Sequence, residues 1–375
     1  MDAIIKKAVI LLFALSPVFI SLVLLRQETK IGREALEKVY VALEEEGQIA
    51  VVDAEKKRLV KSIGLSHEQD GKIVRYEAHN VQVTPDGSKV LVTANVNRGV
   101  MGKNIESEED LSDGLRDRIF IIDPFADAII DSIELGIDLH LAHVVSDLNG
   151  KVAYVNAQET GQVFVVDLET RKTLGKFELG GKSGPHGLRL SPDGTKLFVA
   201  LLDGNGMGMI DLAKKKINYF SLPGKAVQTA VTPDGMYVFA SIYDAKKIAW
   251  FNMNTEESGY ITLPQGAAGP VQLYPSPDSS FLYVADQGFY FDQPESKQVY
   301  RININQKIVD QTLEAGSAPH GIVIDKQGTF AYVTNLTGDD LSIIDLVLRK
   351  EVKKIPVGKM PNGVSIWNRT AGGTP

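Results

Sequence analysis

Three histidines occupy one recurring place in the chain, eight residues before a turn glycine: His79 in EAHNVQV, His186 in GPHGLRL and His320 in APHGIVI. Val227, Val271 and Asn362 stand at the same place elsewhere. His143 is read as two positions further along its own strand, one pleat deeper, and His140 as part of the loop entering that strand. Neutral imidazoles that converge can bind zinc, copper or iron, give an axial ligand to a non-covalent haem, or relay protons. His79, His186 and His320 are therefore the candidate metal ligands. The structural alternative is that Pro-His-Gly merely starts a strand, with the imidazole bonded to neighbouring backbone. Asn335, Asp286 and Asn156 lie where they could add polar groups to the same place, or could equally satisfy loop N–H groups.

The elements that must position these side chains are short strands. Pro319 to Gly358 reads as four in a row: PHGIVID, TFAYVTN, LSIIDL and EVKKIPVG. Each is rich in β-branched or aromatic residues and bounded by Gly, Asp or Asn, as in antiparallel hairpins. The first turn recurs as Thr84-Pro85-Asp86-Gly87, Ser191-Pro192-Asp193-Gly194 and Thr232-Pro233-Asp234-Gly235, with variants at Asp147, Ser276 and Asp325. Pro presets φ, Asp caps, and Gly takes the positive φ of a tight reversal. The third strand recurs seven times, at Val51, Ile121, Val165, Met209, Trp250, Arg301 and Ile343. Its period is that of a propeller blade.

The expectation is an all-β, seven-bladed β-propeller of four-stranded antiparallel blades. Six blades run in sequence over 78–136, 141–181, 185–224, 226–266, 270–316 and 319–358. The seventh is split: Val39 to Leu65 gives its outer three strands, and Pro361 to Trp367 returns as the innermost. Closing a ring this way leaves no long edge exposed. Inner strands then line a channel, and His79, His186 and His320 ring one mouth. Their blades, the second, fourth and seventh, are not neighbours, so a ligand bridging the rings is expected more readily than one ion held by all three.

Two insertions fall on that face. Asn97 to Asp117 is acidic and reads as solvated. Gln287 to Lys297 carries Phe289, Tyr290 and Phe291, which could pack over a planar ligand or a partner, or on the propeller's own rim. The repeated Asp53, Asp123, Asp167, Asp211 and Asp345 belong to the turn side and read as structural.

The repeats resemble the YVTN family of seven-bladed propellers over about residues 39–368. Ala331-Tyr332-Val333-Thr334-Asn335 carries the name-giving motif, with close variants at Val152–Asn156 and Phe281–Asp286. The resemblance implies the fold, and is similar in kind to surface-layer propellers, haem-d-binding domains of nitrite reductases and their biosynthetic relatives, quinoprotein amine dehydrogenase subunits, and lactonases. Fold alone does not choose among these.

The chain has 375 residues, no cysteine and a net charge of −7. Lack of cysteine excludes disulfides, thiolate zinc sites, cysteine-bound iron–sulfur clusters and covalent c-type haem in this chain. The charge disfavours nucleic acid. Lys6 and Lys7 precede the apolar run Ala8 to Leu25. Eighteen helical residues span roughly 27 Å, about a bilayer core, and the basic flank places the N-terminus in the cytoplasm. Residues 1–28 are read as an uncleaved anchor in preference to a cleaved signal peptide, 29–38 as a stalk, and 369–375 as a tail. The rest would be exported to the periplasm or cell surface. With no nucleophile elbow, phosphate loop or HExxH in the sequence, the reading leans away from an enzyme. It favours binding of a small molecule or partner protein at a pocket of His79, His186, His320, His143, Asn362, Asn335, Asp286 and Tyr290. The alternative is a redox or cofactor-assembly protein holding non-covalent haem or a divalent transition metal. Lactonase-like hydrolysis ranks lowest.

Overall fold

Alternating apolar residues bounded by Pro-Asp-Gly or Asp-capped turns give strands of mostly five to nine residues throughout the computed structural model. It describes residues 36–69, 72–97 and 115–369. Residues 1–28, most of the stalk and tail, and the core of the acidic insertion lie outside these. Among the described residues no helix is long and apolar enough to cross a membrane.

Seven antiparallel sheets follow one another. Blade 1 comprises Pro361–Asn368, Glu37–Leu43, Gln48–Asp53 and Arg58–Gly64, in that order from the channel outward. The C-terminal strand pairs Val39 with Ile366 and Val41 with Val364. Blade 1 begins two residues earlier than expected, because Lys38 is a buried strand residue and not stalk. Its ammonium donates to Asp127 Oδ2 at 2.8 Å and to the Pro124 carbonyl at 2.7 Å. Blade 2 is a five-stranded exception. Its inner strand runs Lys72–Val83, well before residue 78, and its early half pairs with Ser66–Gln69. Blades 3 to 7 start at Leu141, Pro185, Ala226, Pro270 and Pro319 and keep four strands each.

The core is not central. Buried apolar residues form clusters straddling each pair of adjacent blades, such as Val41 and Ile343 between blades 1 and 7, and Tyr76 with Val51 between blades 1 and 2. Each blade thus buries both faces only because it has neighbours. The Asp ending each third strand caps its turn as expected: Asp53 Oδ1 accepts the Lys56 N–H at 2.9 Å, and Asp345 Oδ1 the Leu348 N–H at 2.7 Å.

One local irregularity decides what faces the channel. Every inner strand has an extra residue, near its start between Pro185 and Leu188 in blade 4 or Pro319 and Ile322 in blade 7, and mid-strand between Ala78 and Asn80 in blade 2. Such bulges re-aim side chains. A second-strand hydroxyl stitches this bulge to the next blade. Thr334 Oγ1, in the YVTN motif, accepts the Gly321 N–H at 2.7 Å and donates to the Asn362 carbonyl at 2.8 Å. Thr93 and Ser241 do the same for Asn80 with Ala142, and Gln228 with Val271. At Gly187 an added Cβ would lie 2.4 Å from the Gln228 Cα, so glycine is what lets blades 4 and 5 approach there.

Candidate metal centre

The bulge brings neighbouring strand positions into the channel together. His79, His143 and His186 come from three consecutive blades, and one ring nitrogen of each lies within 4.8 Å of the others. Ring centroids are 6.1 Å apart for His79–His143, 5.5 Å for His79–His186 and 5.3 Å for His143–His186. All three are buried. His140 adds a fourth ring 5.6 Å from His79, on an exposed residue held at φ 48°.

The sequence reading placed His143 two positions beyond the ring of histidines. The register, Leu141 with Ala157 and Val144 with Val155, makes it one position beyond. In a regular strand adjacent residues face opposite sides; across the bulge both face inward. His320 does not join this trio. It sits in blade 7, on the far side of blade 1, with Gln287 Nε2 2.6 Å from its Nδ1 and the Tyr290 ring edge-on at 5.7 Å. Asn335 and Asp286 are directed to the loops. Asn335 Oδ1 accepts the Gly316 N–H, and the Asp286 carboxylate accepts the Ala268 and Gly269 N–H groups. Asn156 similarly donates to the His186 carbonyl at 2.6 Å.

The residue the sequence did not single out is Glu44, the first of three consecutive glutamates. Its Oε1 is 3.5 Å from His79 Nδ1, and its Oε2 accepts from Tyr290 Oη at 2.8 Å and Asn362 Nδ2 at 2.7 Å. Asn362 and Tyr290 therefore reach the site through this carboxylate. Burial alone would raise the Glu44 carboxyl, but His79, Asn362 and Tyr290 outweigh it and hold it at about 2. Beside this anion stand imidazoles that stay neutral. Burial, and then repulsion from His79, pushes His186 down to about 3, and burial takes His143 well below its ordinary value. A fixed negative charge next to neutral nitrogen donors favours a cation.

The outer hydrogen bonds orient the ligands. His186 Nδ1 donates to the Val227 carbonyl at 2.9 Å, which leaves Nε2 with its lone pair free. His79 turns Nδ1 to Glu44, and its Nε2 is buried with no hydrogen-bond partner among the described residues. Carboxylate or carbonyl on one ring nitrogen and metal on the other is the usual arrangement for ligating histidine. Gln228 and Gln272 close the channel below. Gln228 Nε2 donates to Gln272 Oε1 at 3.0 Å, and the two carboxamides flank His143, one 3.3 Å from each ring nitrogen. Neither glutamine carries a sequence motif that could have revealed this.

Two expected outcomes follow from these contacts. Glu44→Gln keeps the shape but removes the charge behind His79, and should weaken zinc or copper binding roughly 10–100-fold, as outer-shell changes do; competitive titration against a chromophoric chelator measures it. The second concerns pH. The unfolded chain protonates its imidazoles near 6.5, whereas burial, and next repulsion from His79, keep His320 neutral to about 4. Below pH 6.5 the unfolded state therefore takes up protons that the native state does not, and stability falls with pH. For His320 alone the loss reaches on the order of 3 kcal/mol by pH 4. His320→Gln should flatten the urea-midpoint profile between pH 6.5 and 4 in the metal-free protein; an unchanged slope would contradict the assignment.

No protein-family profile and no curated protein sequence matches this chain. Solved structures do. Hydrazine synthase of Kuenenia stuttgartiensis aligns with a TM-score of 0.61 and 15% identity, over 79% of this chain and 96% of that one. Dihydro-heme d1 dehydrogenase NirN, in complex with DHE, aligns with a TM-score of 0.60 and 13% identity, over 90% of this chain and 76% of that one. At such identities the likeness is one of fold: all are similar to this seven-bladed propeller.

Proposed function

We propose that this propeller binds a divalent transition-metal ion at its loop-side mouth through His79, His143 and His186, with Glu44 as the orienting carboxylate. The observation that carries the reading is the buried, unpaired Nε2 of His79 beside the rings of His143 and His186. Three imidazoles suit zinc, copper, iron or nickel, and three protein ligands leave a coordination position for a small ligand entering from the loops. In the same reading residues 1–28 tether the chain to the cytoplasmic membrane, and the site is displayed in the periplasm or at the cell surface, where a small molecule or a partner protein meets it. The test is a titration of the purified, chelator-treated chain with zinc and copper. One equivalent bound at neutral pH supports the site; no saturable binding removes it.

A second reading is a tetrapyrrole at the same mouth. The four imidazoles pack edge to face, at centroid separations of 5.3–6.1 Å. The trio fits an ion between its nitrogens better than a macrocycle between its rings. His140 favours the second reading, because its left-handed backbone sets its ring 5.6 Å from that of His79 on an otherwise exposed residue, and the NirN structure, of similar fold, is a complex with DHE. Bound tetrapyrrole would supply redox or ligand-binding chemistry, and His140 would offer it an imidazole nitrogen. An absorption spectrum with added haem decides: a Soret shift in the parent and none in His140→Ala supports it, and no shift in either removes it.

A further inference from the structure

The opposite mouth of the channel, on the side of the Pro-Asp-Gly turns, holds a second polar feature. A cavity of about 640 Å³ opens there, walled by inner-strand ends from all seven blades. Arg189, two positions beyond the bulge glycine Gly187 in blade 4, reaches into it, as does Tyr274 at the same strand position in blade 6. Arg189 is half-buried, and its one hydrogen bond among the described residues goes from Nη1 to its own neighbour, the Leu188 carbonyl, at 2.9 Å. No carboxylate is within ion-pair distance of it among the described residues. The nearby acids of the cavity wall are committed to their own turns. Asp86 Oδ1 accepts from Thr84 Oγ1 at 2.6 Å and from the Ser88 N–H at 3.1 Å, and Asp325 Oδ1 accepts the Thr329 N–H at 2.6 Å.

A guanidinium facing a cavity with most of its donors unused is open to an incoming anion. Its planar fork matches the two oxygens of a carboxylate or phosphate. The Tyr274 hydroxyl has no protein partner among the described residues and is the natural second donor. Burial raises the Tyr274 hydroxyl, and Arg189 is the charged group that acts on it. Desolvation lowers the Arg189 pKa from its ordinary value, the direction expected of a cation without a counter-ion. The hydrogen-bonded His143, Gln228 and Gln272 do not line this cavity.

We propose that this cavity is an oxyanion-binding site, in which Arg189 grips the carboxylate or phosphate group of a small organic molecule and Tyr274 donates a further hydrogen bond. It uses none of the residues of the metal centre. The experiment uses the full chain stripped of metal, with inorganic phosphate and succinate as separate probes at millimolar concentration, read by calorimetry and by melting temperature. One of the two should bind and raise the melting temperature, and the better probe tells phosphate from carboxylate. Arg189→Gln should weaken that probe at least about tenfold while melting no lower than the parent, since it removes an uncompensated charge. Arg189→Lys should recover only part of the affinity, and Tyr274→Phe should lose several-fold. Zinc affinity should be unchanged or higher in Arg189→Gln, because the guanidinium repels a cation at His143. Failure of both probes to bind the parent overturns the proposal, as does equal binding by the parent and Arg189→Gln. If Arg189→Gln does not fold, the prediction that the charge is uncompensated is wrong and the proposal falls with it.

Discussion

His186→Ala is expected to lower zinc or copper affinity by more than the roughly 10–100-fold of an outer-shell change, because it removes a ligand outright. His186 is the member of the trio whose tautomer is fixed by a backbone partner. The Val227 carbonyl fixes Nδ1 as the donor at 2.9 Å, so Nε2 faces its partners with a lone pair, and Gly187 beside it holds blades 4 and 5 close. His79→Ala should match the loss, and its effect should not add to that of Glu44→Gln, since the carboxylate acts only through His79. The fold should tolerate the change in His186: at neutral pH the buried imidazole contributes one hydrogen bond, about 1 kcal/mol. Isothermal titration of parent and variants at pH 7.5 separates the readings. If metal affinity does not change in His186→Ala, the histidines are strand entries and nothing more.

Removing residues 361–368 is expected to unfold the ring, not fray its end. The strand is the inner ribbon of blade 1 and touches both neighbouring blades. Its Asn362 carbonyl accepts from Thr334 of blade 7, Ser365 Oγ accepts the Val83 N–H of blade 2 at 3.0 Å, and Trp367 Nε1 donates to the Gly87 carbonyl at 2.9 Å. Trp367 is 2% exposed, with the Lys38 ammonium over its ring at 5.1 Å. Truncating a buried Trp alone costs about 3–5 kcal/mol. Losing the whole strand also strips blade 1 of a partner and opens an edge, which together approach the 5–15 kcal/mol of a typical domain. The deletion should therefore abolish the cooperative thermal transition or lower it by tens of degrees. A melting curve superimposable on the parent's would contradict the closure.

The fold was legible because its signal is repetitive. Thr84-Pro85-Asp86-Gly87 and its copies, the capping Asp53 to Asp345 series, and the return of Pro361-Asn362-Gly363 to the first-strand pattern all mean the same thing in each blade. What departed from the repeat was not legible. The strand Ser66–Gln69 that widens blade 2 has no counterpart in the other sheets among the described residues. Lys38 reads as a stalk residue until its partner, Asp127, is seen 89 positions away.

The site was half legible for the same reason. The histidine positions showed through the eight-residue spacing to the turn, but spacing assumes a regular strand. The bulge adds a residue to each inner strand and makes His143, one place off the pattern, a neighbour of His79 and His186. Consecutive blades bring their side chains together; blade 7 leaves His320 with Tyr290 and Gln287. Glu44 was hidden in a run of like charges, where a solvated turn is the ordinary meaning, and only its bonds to Asn362 and Tyr290 set it apart from Glu45 and Glu46.

The most direct test of the metal centre is cobalt(II) titration of the metal-free full chain, followed through its visible ligand-field bands. The account predicts a saturable spectrum at one equivalent, displaced by zinc, and absent when His79 and His143 are both replaced by alanine. A parent protein that develops no such bands at neutral pH, or a double variant that develops them unchanged, would contradict it.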